Sequence, residues 1–297
     1  MKKVVIAGGT GFIGSYLRKR FQLSGYRVLI ISRESGHVSW NPVEIKNALE
    51  DAELVINLAG KSIHCRHNEV NQRAIVVSRV NATKSIGDAI KACVNPPRLW
   101  INASATGIYK PSLNQPMLED ELNLGTDFLS EVVREWEKIF FSYKFTETRQ
   151  VALRTSVVLG RGGGALTPLI TLTRFGLGGR QGNGKQMFSW IHEEDYFRSL
   201  LFLLDNPSLN GIVNCTSPAP VSNNELMYTL RIKHHMEFGL PAPILAVKLG
   251  ALLLGTEPEL ILNSSFVMPK RLTDSGFQFH YPTLDLALID LVRSYKT

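Results

Sequence analysis

Cysteine is scarce. The chain has three in 297 residues, Cys65, Cys93 and Cys215. An odd, sparse set excludes a disulfide framework and suits a reducing compartment, so a cytoplasmic setting is expected. Long apolar runs are missing too. Met1-Lys2-Lys3 followed by Val4-Val5-Ile6-Ala7 starts like a signal peptide, but the run breaks at Gly8-Gly9, far too early for one. The most apolar stretch elsewhere, Ile244 to Leu254, is interrupted by Lys248 and too short to span a bilayer. It reads as a buried helix, and no membrane partner is expected. There is no low-complexity tract and no repeat. Acidic residues are outnumbered, 26 against 33 basic ones, for a formal charge of +7. The basic residues are scattered rather than blocked, which argues against nucleic acid; an anionic small molecule fits the excess better.

What the chain does have is alternation. Strands are predicted at Lys3 to Ala7, Arg27 to Ile31, Leu54 to Leu58, Arg98 to Asn102 and Gln150 to Leu159. Helices fall between them, at Phe12 to Ser24, about Glu69 to Ala92, and Thr126 to Tyr143. Apolar runs such as Val4-Val5-Ile6 suit strands buried on both faces. The fold class is therefore α/β, a Rossmann-type doubly wound parallel sheet. The second half changes character. Gly160 to Gly184 is glycine-rich, Met187 to Ile191 looks like a strand, Glu193 to Leu204 a helix and Gly211 to Thr216 a strand. Helices follow near Asn223 to Met236, Ile244 to Leu254 and Leu284 to Arg293. The expected division is a dinucleotide-binding core over 1–160, completed by about 191–216. Residues 161–190 and 217–297 then form a smaller mixed lobe on the substrate side, over the C-terminal edge of the sheet, where ligands of open α/β sheets sit.

The strongest motif is Gly8-Gly9-Thr10-Gly11-Phe12-Ile13-Gly14. It follows a strand and opens a helix, the context in which such spacing points to a dinucleotide. Gly8 permits the tight turn, Gly11 lets the backbone approach a pyrophosphate, and Gly14 lets the helix pack closely on the strand. The helix N-terminus offers amides and positive dipole to the phosphates. At the tip of the second strand stand Ser32 and Arg33 instead of an acidic residue. An arginine there can pair with a 2′-phosphate, which favours NADP(H); Glu34 leaves NAD(H) open.

These residues, with Asn57-Leu58-Ala59-Gly60, resemble the extended short-chain dehydrogenases/reductases of the sugar-nucleotide epimerase type. Further segments narrow the likeness: Ser104-Ala105-Thr106-Gly107-Ile108-Tyr109, Leu153-Arg154-Thr155, Phe175 to Gly179, Trp190-Ile191-His192 and Pro269-Lys270-Arg271-Leu272. They resemble an atypical branch of oxidoreductases labelled nucleoside-diphosphate-sugar epimerase. The resemblance implies that Asn57 to Gly60 line the cofactor and that Arg154 lies near the nicotinamide. It also implies that Arg79, on the long helix, faces the site where many relatives carry asparagine.

Members of the wider family work with Ser/Thr and a Tyr-x-x-x-Lys pair. The chain has no such pair. By alignment the tyrosine position holds Asp127 or Phe128, and the lysine position Glu131 or Val132. The usual Ser/Thr acceptor falls at Ala105. Ser104, Thr106 and Tyr109 are the catalytic candidates that remain, with packing the alternative for Tyr109 and strand-end hydrogen bonding for the other two. No metal site is expected, because the ligand types in His64-Cys65-Arg66-His67 have no second pair at zinc spacing. Gly179 to Gln186 nearly spells a phosphate loop but lacks its final Ser/Thr and leads into a strand. His192 reads as an organiser of a helix start. The sequence supports an oxidoreductase or epimerase-like enzyme on a small polar, sugar-like or nucleotide-like substrate. It also supports a non-catalytic NADP(H) sensor, and it leaves a homodimer open.

Overall fold

A computed structural model describes residues 1–253 and 255–293. Its centre is a six-stranded, wholly parallel sheet in the order β2-β1-β3-β4-β5-β9. In chain order the elements are β1 (Lys3–Ala7), α1 (Phe12–Leu23), β2 (Arg27–Ile31), α2 (Pro42–Leu49), β3 (Leu54–Asn57), α3 (Glu69–Ala92), β4 (Leu99–Ala105), α4 (Phe128–Ser142) and β5 (Arg149–Thr155). Then come β6 (Val157–Leu159), α5 (Leu166–Arg174), β7 (Met187–Phe188), β8 (Trp190–His192), α6 (Glu193–Asp205), β9 (Gly211–Cys215), β10 (Val221–Ser222) and α7 (Asn223–Lys233). The chain closes with α8 (Ile244–Leu253), α9 (Glu259–Leu262), α10 (Lys270–Asp274) and α11 (Leu284–Arg293).

Period-two geometry sends alternate strand residues to opposite faces, and both faces are buried. Val4, Ile6, Ile56, Ile101 and Leu153 pack under Leu17 and Phe21 of α1 and Phe197 and Leu200 of α6. Val5, Ala7, Val55, Trp100 and Ala152 pack under Ile45 of α2, Ile86 and Ile90 of α3, and Phe140 of α4. Each large side chain so buried contributes about 1.5–3 kcal/mol. A third cluster joins α5, α7, α11 and β8 through Ile170, Leu226, Leu230, Trp190 and Leu288. The open edge at β9 is covered by Arg271, whose guanidinium donates to the main-chain carbonyls of Asn210 and Ile212.

Two expected strands are divided. The run Gln150 to Leu159 leaves the main sheet at Ser156, and β6 pairs with β8 in a separate two-stranded sheet. The run Met187 to Ile191 breaks at Ser189, with β7 pairing antiparallel to β10. In both cases a serine fastens the break to distant main chain. The Ser156 amide and hydroxyl donate to the Cys215 carbonyl at 3.2 and 3.3 Å. The Ser189 hydroxyl donates to the Ser265 carbonyl at 2.8 Å and accepts from the Val267 amide at 2.9 Å. Four helices absent from the pattern are present, α2, α5, α9 and α10, with α5 inside the glycine-rich stretch. The expected helix from Ile244 forms as α8 but is not buried: Val247 and Ala251 face inward, while Ile244, Leu245, Leu249, Leu252 and Leu253 are exposed. Leu254 and residues 294–297 of the expected smaller lobe lie outside the described residues. No helix among the described residues is long and apolar enough to cross a membrane.

Candidate dinucleotide site and the β4–α4 end

After β1 the chain goes out to β2 on one side and returns to β3 on the other, so the sheet reverses direction between β1 and β3. The turn Gly8 to Gly14 sits at the C-terminal end of β1, at this reversal. Gly8 has φ +77°, and its amide donates to the Ile31 carbonyl at 3.0 Å, tying the turn to the tip of β2. A Cβ on Gly8 would lie 2.9 Å from the backbone of Leu58 and Ala59. A Cβ on Gly14 would lie 2.6 Å from the Gly8 carbonyl oxygen. Both positions are closed to any larger residue. Gly11 is different: a Cβ there meets only the Gly8 oxygen, at 3.6 Å. The backbone demands glycine at the flanks, while open space lies in front of the centre.

Gly11 is the N-cap of α1, with no side-chain cap and no acidic residue in the first turn. The first amides of the helix therefore lack intrahelical partners and carry its positive end. Thr10 is exposed beside them. Phe12 turns its ring toward the second half of the molecule, where Cβ atoms on Gly160, Gly163 or Gly164 would meet it at 2.9, 2.6 and 2.8 Å. Ile13 packs against the sheet core with Leu58. At the tip of β2, Ser32 is buried and its hydroxyl accepts from the Glu34 amide at 3.1 Å, whereas Arg33 is exposed.

The segment after β3 approaches the same turn. Asn57 is fully buried; its Nδ2 donates to Asn102 Oδ1 at 2.7 Å and to Thr83 Oγ1 at 3.2 Å, and its Oδ1 accepts from the Ala59 amide at 3.1 Å. Trp136 Nε1 donates to the same Thr83 hydroxyl at 2.9 Å. Asn57 thus shapes the Ala59-Gly60 bend from inside. Arg79 reaches the bend from α3. Its Nη1 donates to the carbonyls of Lys61 (2.9 Å) and Ile75 (3.1 Å), and its guanidinium lies 5.1 Å over the Trp136 ring. Burial pushes its pKa down to about 10, so it keeps its charge at neutral pH.

At the β4–α4 end the catalytic candidates are drawn inward. The Ser104 hydroxyl donates to Glu137 Oε1 at 2.5 Å. Arg154, expected near the cofactor, grips the same carboxylate through Nε (2.9 Å) and Nη2 (2.8 Å), and its Nη1 donates to the Tyr109 hydroxyl at 2.9 Å. The Tyr109 hydroxyl in turn donates to Asn214 Oδ1 at 2.8 Å. The Asn214 amide donates to Glu119 Oε1, which also takes the Arg271 amide, each at 3.1 Å. All six of Ser104, Tyr109, Glu119, Glu137, Arg154 and Asn214 are buried. Burial pushes the Tyr109 phenol and the Glu119 carboxyl above their ordinary pKa values. A cavity of about 660 Å³ lies between α4 and β9, beside Glu137 and Arg154; none of its lining residues belongs to the glycine turn. Thr106 is the exception among the candidates. Its hydroxyl has no hydrogen-bond partner among the described residues. Asp127, at one of the two tyrosine positions, is the N-cap of α4 and accepts from the Ser130 amide at 3.0 Å; Phe128 opens the helix.

The model of the NAD dependent epimerase/dehydratase family matches residues 4–215. The chain belongs to that family. A second model, a domain of unknown function called DUF1731, matches residues 242–291. This family member is 36% identical over 300 residues to an epimerase family protein of Staphylococcus saprophyticus, covering 98% of this chain and all of that one. Among solved structures it is similar to the human epimerase family protein SDR39U1 with NADPH. The TM-score is 0.90 at 32% identity, over 98% of this chain and 99% of that one. It is also similar to a nucleoside-diphosphate sugar epimerase from Corynebacterium glutamicum, with TM-score 0.78 and 27% identity over 98% of this chain and 58% of that one.

Sequence reasoning missed Glu137, Asn214 and Glu119, because a lone acidic or amide residue carries no signal until a distant arginine or tyrosine is set beside it. His192 caps α6 as expected, its Nδ1 accepting from the Glu194 amide at 3.0 Å. Among the described residues no group of three or more His, Cys, Asp or Glu side chains could hold a metal ion.

Proposed function

We propose that this protein binds NADP(H) at the Gly8–Gly14 turn and acts as an oxidoreductase or epimerase-like enzyme on a small polar, sugar-like or nucleotide-like substrate. One observation carries the reading. The glycine turn is sterically closed at Gly8 and Gly14 and open at Gly11, in front of uncapped helix amides. The backbone of Gly8 to Gly14 would hold the pyrophosphate. Ser32 and Arg33 would receive the 2′-phosphate, with Ala59, Gly60 and Arg79 along the crevice wall. The similar human protein with NADPH supports the phosphate assignment. When bound, a nicotinamide dinucleotide supplies hydride exchange with a carbon of the substrate. Thr106, with its unengaged hydroxyl at the end of β4, orients the substrate oxygen. Substrate enters between residues 1–160 and a smaller lobe formed by residues 161–190 and those from 217 onward.

Titration with NADPH and NADH, followed by nicotinamide fluorescence, tests this reading. Tight NADPH binding is expected, and Arg33→Ala should weaken NADPH far more than NADH. Equal losses for both cofactors overturn the NADP assignment; no binding of either overturns the function. A second reading, a non-catalytic NADP(H) sensor, is favoured by one observation: Ser104, Tyr109 and Asp127 all have their polar atoms engaged within the protein. Absence of NADPH oxidation across carbonyl and sugar-nucleotide panels, despite tight binding, would favour it.

A further inference from the structure

At the β4–α4 end Asp127 is engaged as the N-cap of α4, while Glu131 and Glu135 of that helix stand on the cavity wall, Glu131 4.0 Å from Arg134. One titratable side chain from elsewhere does reach this place. His67 lies in the loop between β3 and α3, and its ring meets that of Phe128 edge-on, centroids 5.3 Å apart and 62° between planes. Phe128 is the first residue of α4 and stands at one of the two tyrosine positions. The same first turn is fastened to the end of β4 by the Ser130 hydroxyl, which donates to the Gly107 carbonyl at 2.9 Å, next to Thr106.

His67 is held from three directions. Its amide donates to Glu257 Oε1 at 2.7 Å, and Glu257 also lies 4.0 Å from Arg66. Its carbonyl accepts from Gln72 Nε2 at 2.8 Å. Its ring Nε2 lies 3.0 Å from the Ile63 carbonyl. A carbonyl can only accept, so Nε2 carries the hydrogen and Nδ1 of the neutral ring is left with its lone pair. Nδ1 has no hydrogen-bond partner among the described residues, and both rings are half-buried, fixed but reachable.

We propose that His67 is the catalytic acid and base of this protein, exchanging a proton with the substrate oxygen through Nδ1, the task the missing α4 tyrosine would otherwise perform. The assignment rests on the NADP(H)-dependent oxidoreductase reading above. In the reductive direction the carbonyl oxygen takes the Nδ1 proton of the imidazolium as its carbon receives hydride from a reduced nicotinamide. The carbonyl becomes an alcohol, the nicotinamide is oxidised, His67 is left neutral, and solvent restores its proton. Oxidation runs the same transfers backward. Glu257, just before α9, is a positioning residue that fixes the loop on which the imidazole stands.

The test uses the full chain labelled on histidine rings, with NADP⁺ as the probe, and NADPH with phenanthrenequinone as a surrogate carbonyl. NADP⁺ should shift the His67 ring resonance. His67→Phe keeps a ring against Phe128 but has no proton to give. It should lower quinone reduction about 10²-fold or more without changing NADPH affinity, and His67→Tyr should restore part of the rate. NADP⁺ binding that leaves the His67 resonance unmoved overturns the proposal, as does wild-type turnover by His67→Phe. If the quinone is not reduced by the wild type, the resonance decides. Failure of the wild type to bind NADP(H) is a different result, which removes the functional reading itself.

Discussion

The two ends of the crevice are built from opposite materials. At the β1–α1 end the site is backbone: glycines that admit no side chain at Gly8 and Gly14, open space at Gly11, and helix amides without a cap. At the β4–α4 end it is side chains, and most of their polar atoms are engaged with one another. Ser104, Tyr109 and Arg154 are bound to Glu137 and Asn214 in a buried chain of hydrogen bonds. One end leaves backbone amides open, while the other holds most of its polar side chains in internal hydrogen bonds.

The contrast is most exposed by two glycine substitutions. Gly14→Val should abolish folding or cost about 3 kcal/mol or more, because the new atoms strike backbone that cannot move aside. Gly11→Val should keep the parent's thermal midpoint while NADPH binding is lost. Thermal unfolding with and without NADPH separates the two, and equal destabilisation by both would mean that the turn is not open at its centre.

Next in size is the ion pair at the other end. Arg154→Ala leaves the Glu137 carboxylate buried without its partner and should cost about 3–5 kcal/mol in denaturant unfolding. Arg154→Met combined with Glu137→Leu should recover much of the loss. A milder break is Thr83→Val, which removes the acceptor of Trp136 Nε1 and one partner of Asn57. About 1–3 kcal/mol is expected, again by denaturant unfolding.

The smallest effect is pH-dependent and lies beside the glycine end. Burial raises Glu193 to a pKa of about 7 in the folded protein. A raised pKa means that the folded state holds the proton more tightly. The stabilisation is therefore present below the ordinary carboxyl range, near 4.5, and is lost as pH rises through about 7. Glu193→Gln, always neutral, should gain thermal stability relative to the parent as pH rises across that window. A constant difference from pH 4 to 8, as an approximate span of both ranges, would show that Glu193 titrates normally.

How much of this was legible in the sequence follows from the same contrast. The glycine turn is local, and its spacing states its geometry, so the tight turn expected at Gly8 and the close packing expected at Gly14 match the contacts found. The parallel sheet is legible because each strand is a short, uninterrupted apolar run. The Glu137–Arg154–Tyr109–Asn214 chain is not, since its members lie up to 105 positions apart; the register of β5 and β9 sets Arg154 beside Asn214, and α4 and the turn after β4 bring Glu137 and Tyr109 to them. Helix α2 was readable in principle: Asn41 caps it, accepting from the Val43 amide at 2.9 Å, and Pro42 opens it. The strand breaks at Ser156 and Ser189 were not, because a serine breaks a strand only where distant main chain is in place to bind it.

Phe12 joins the two halves. Its amide belongs to the glycine turn, while its ring fills a notch left by Gly160, Gly163 and Gly164. A larger residue at Gly163 or Gly164 would therefore have to displace the Phe12 ring, and with it the start of α1.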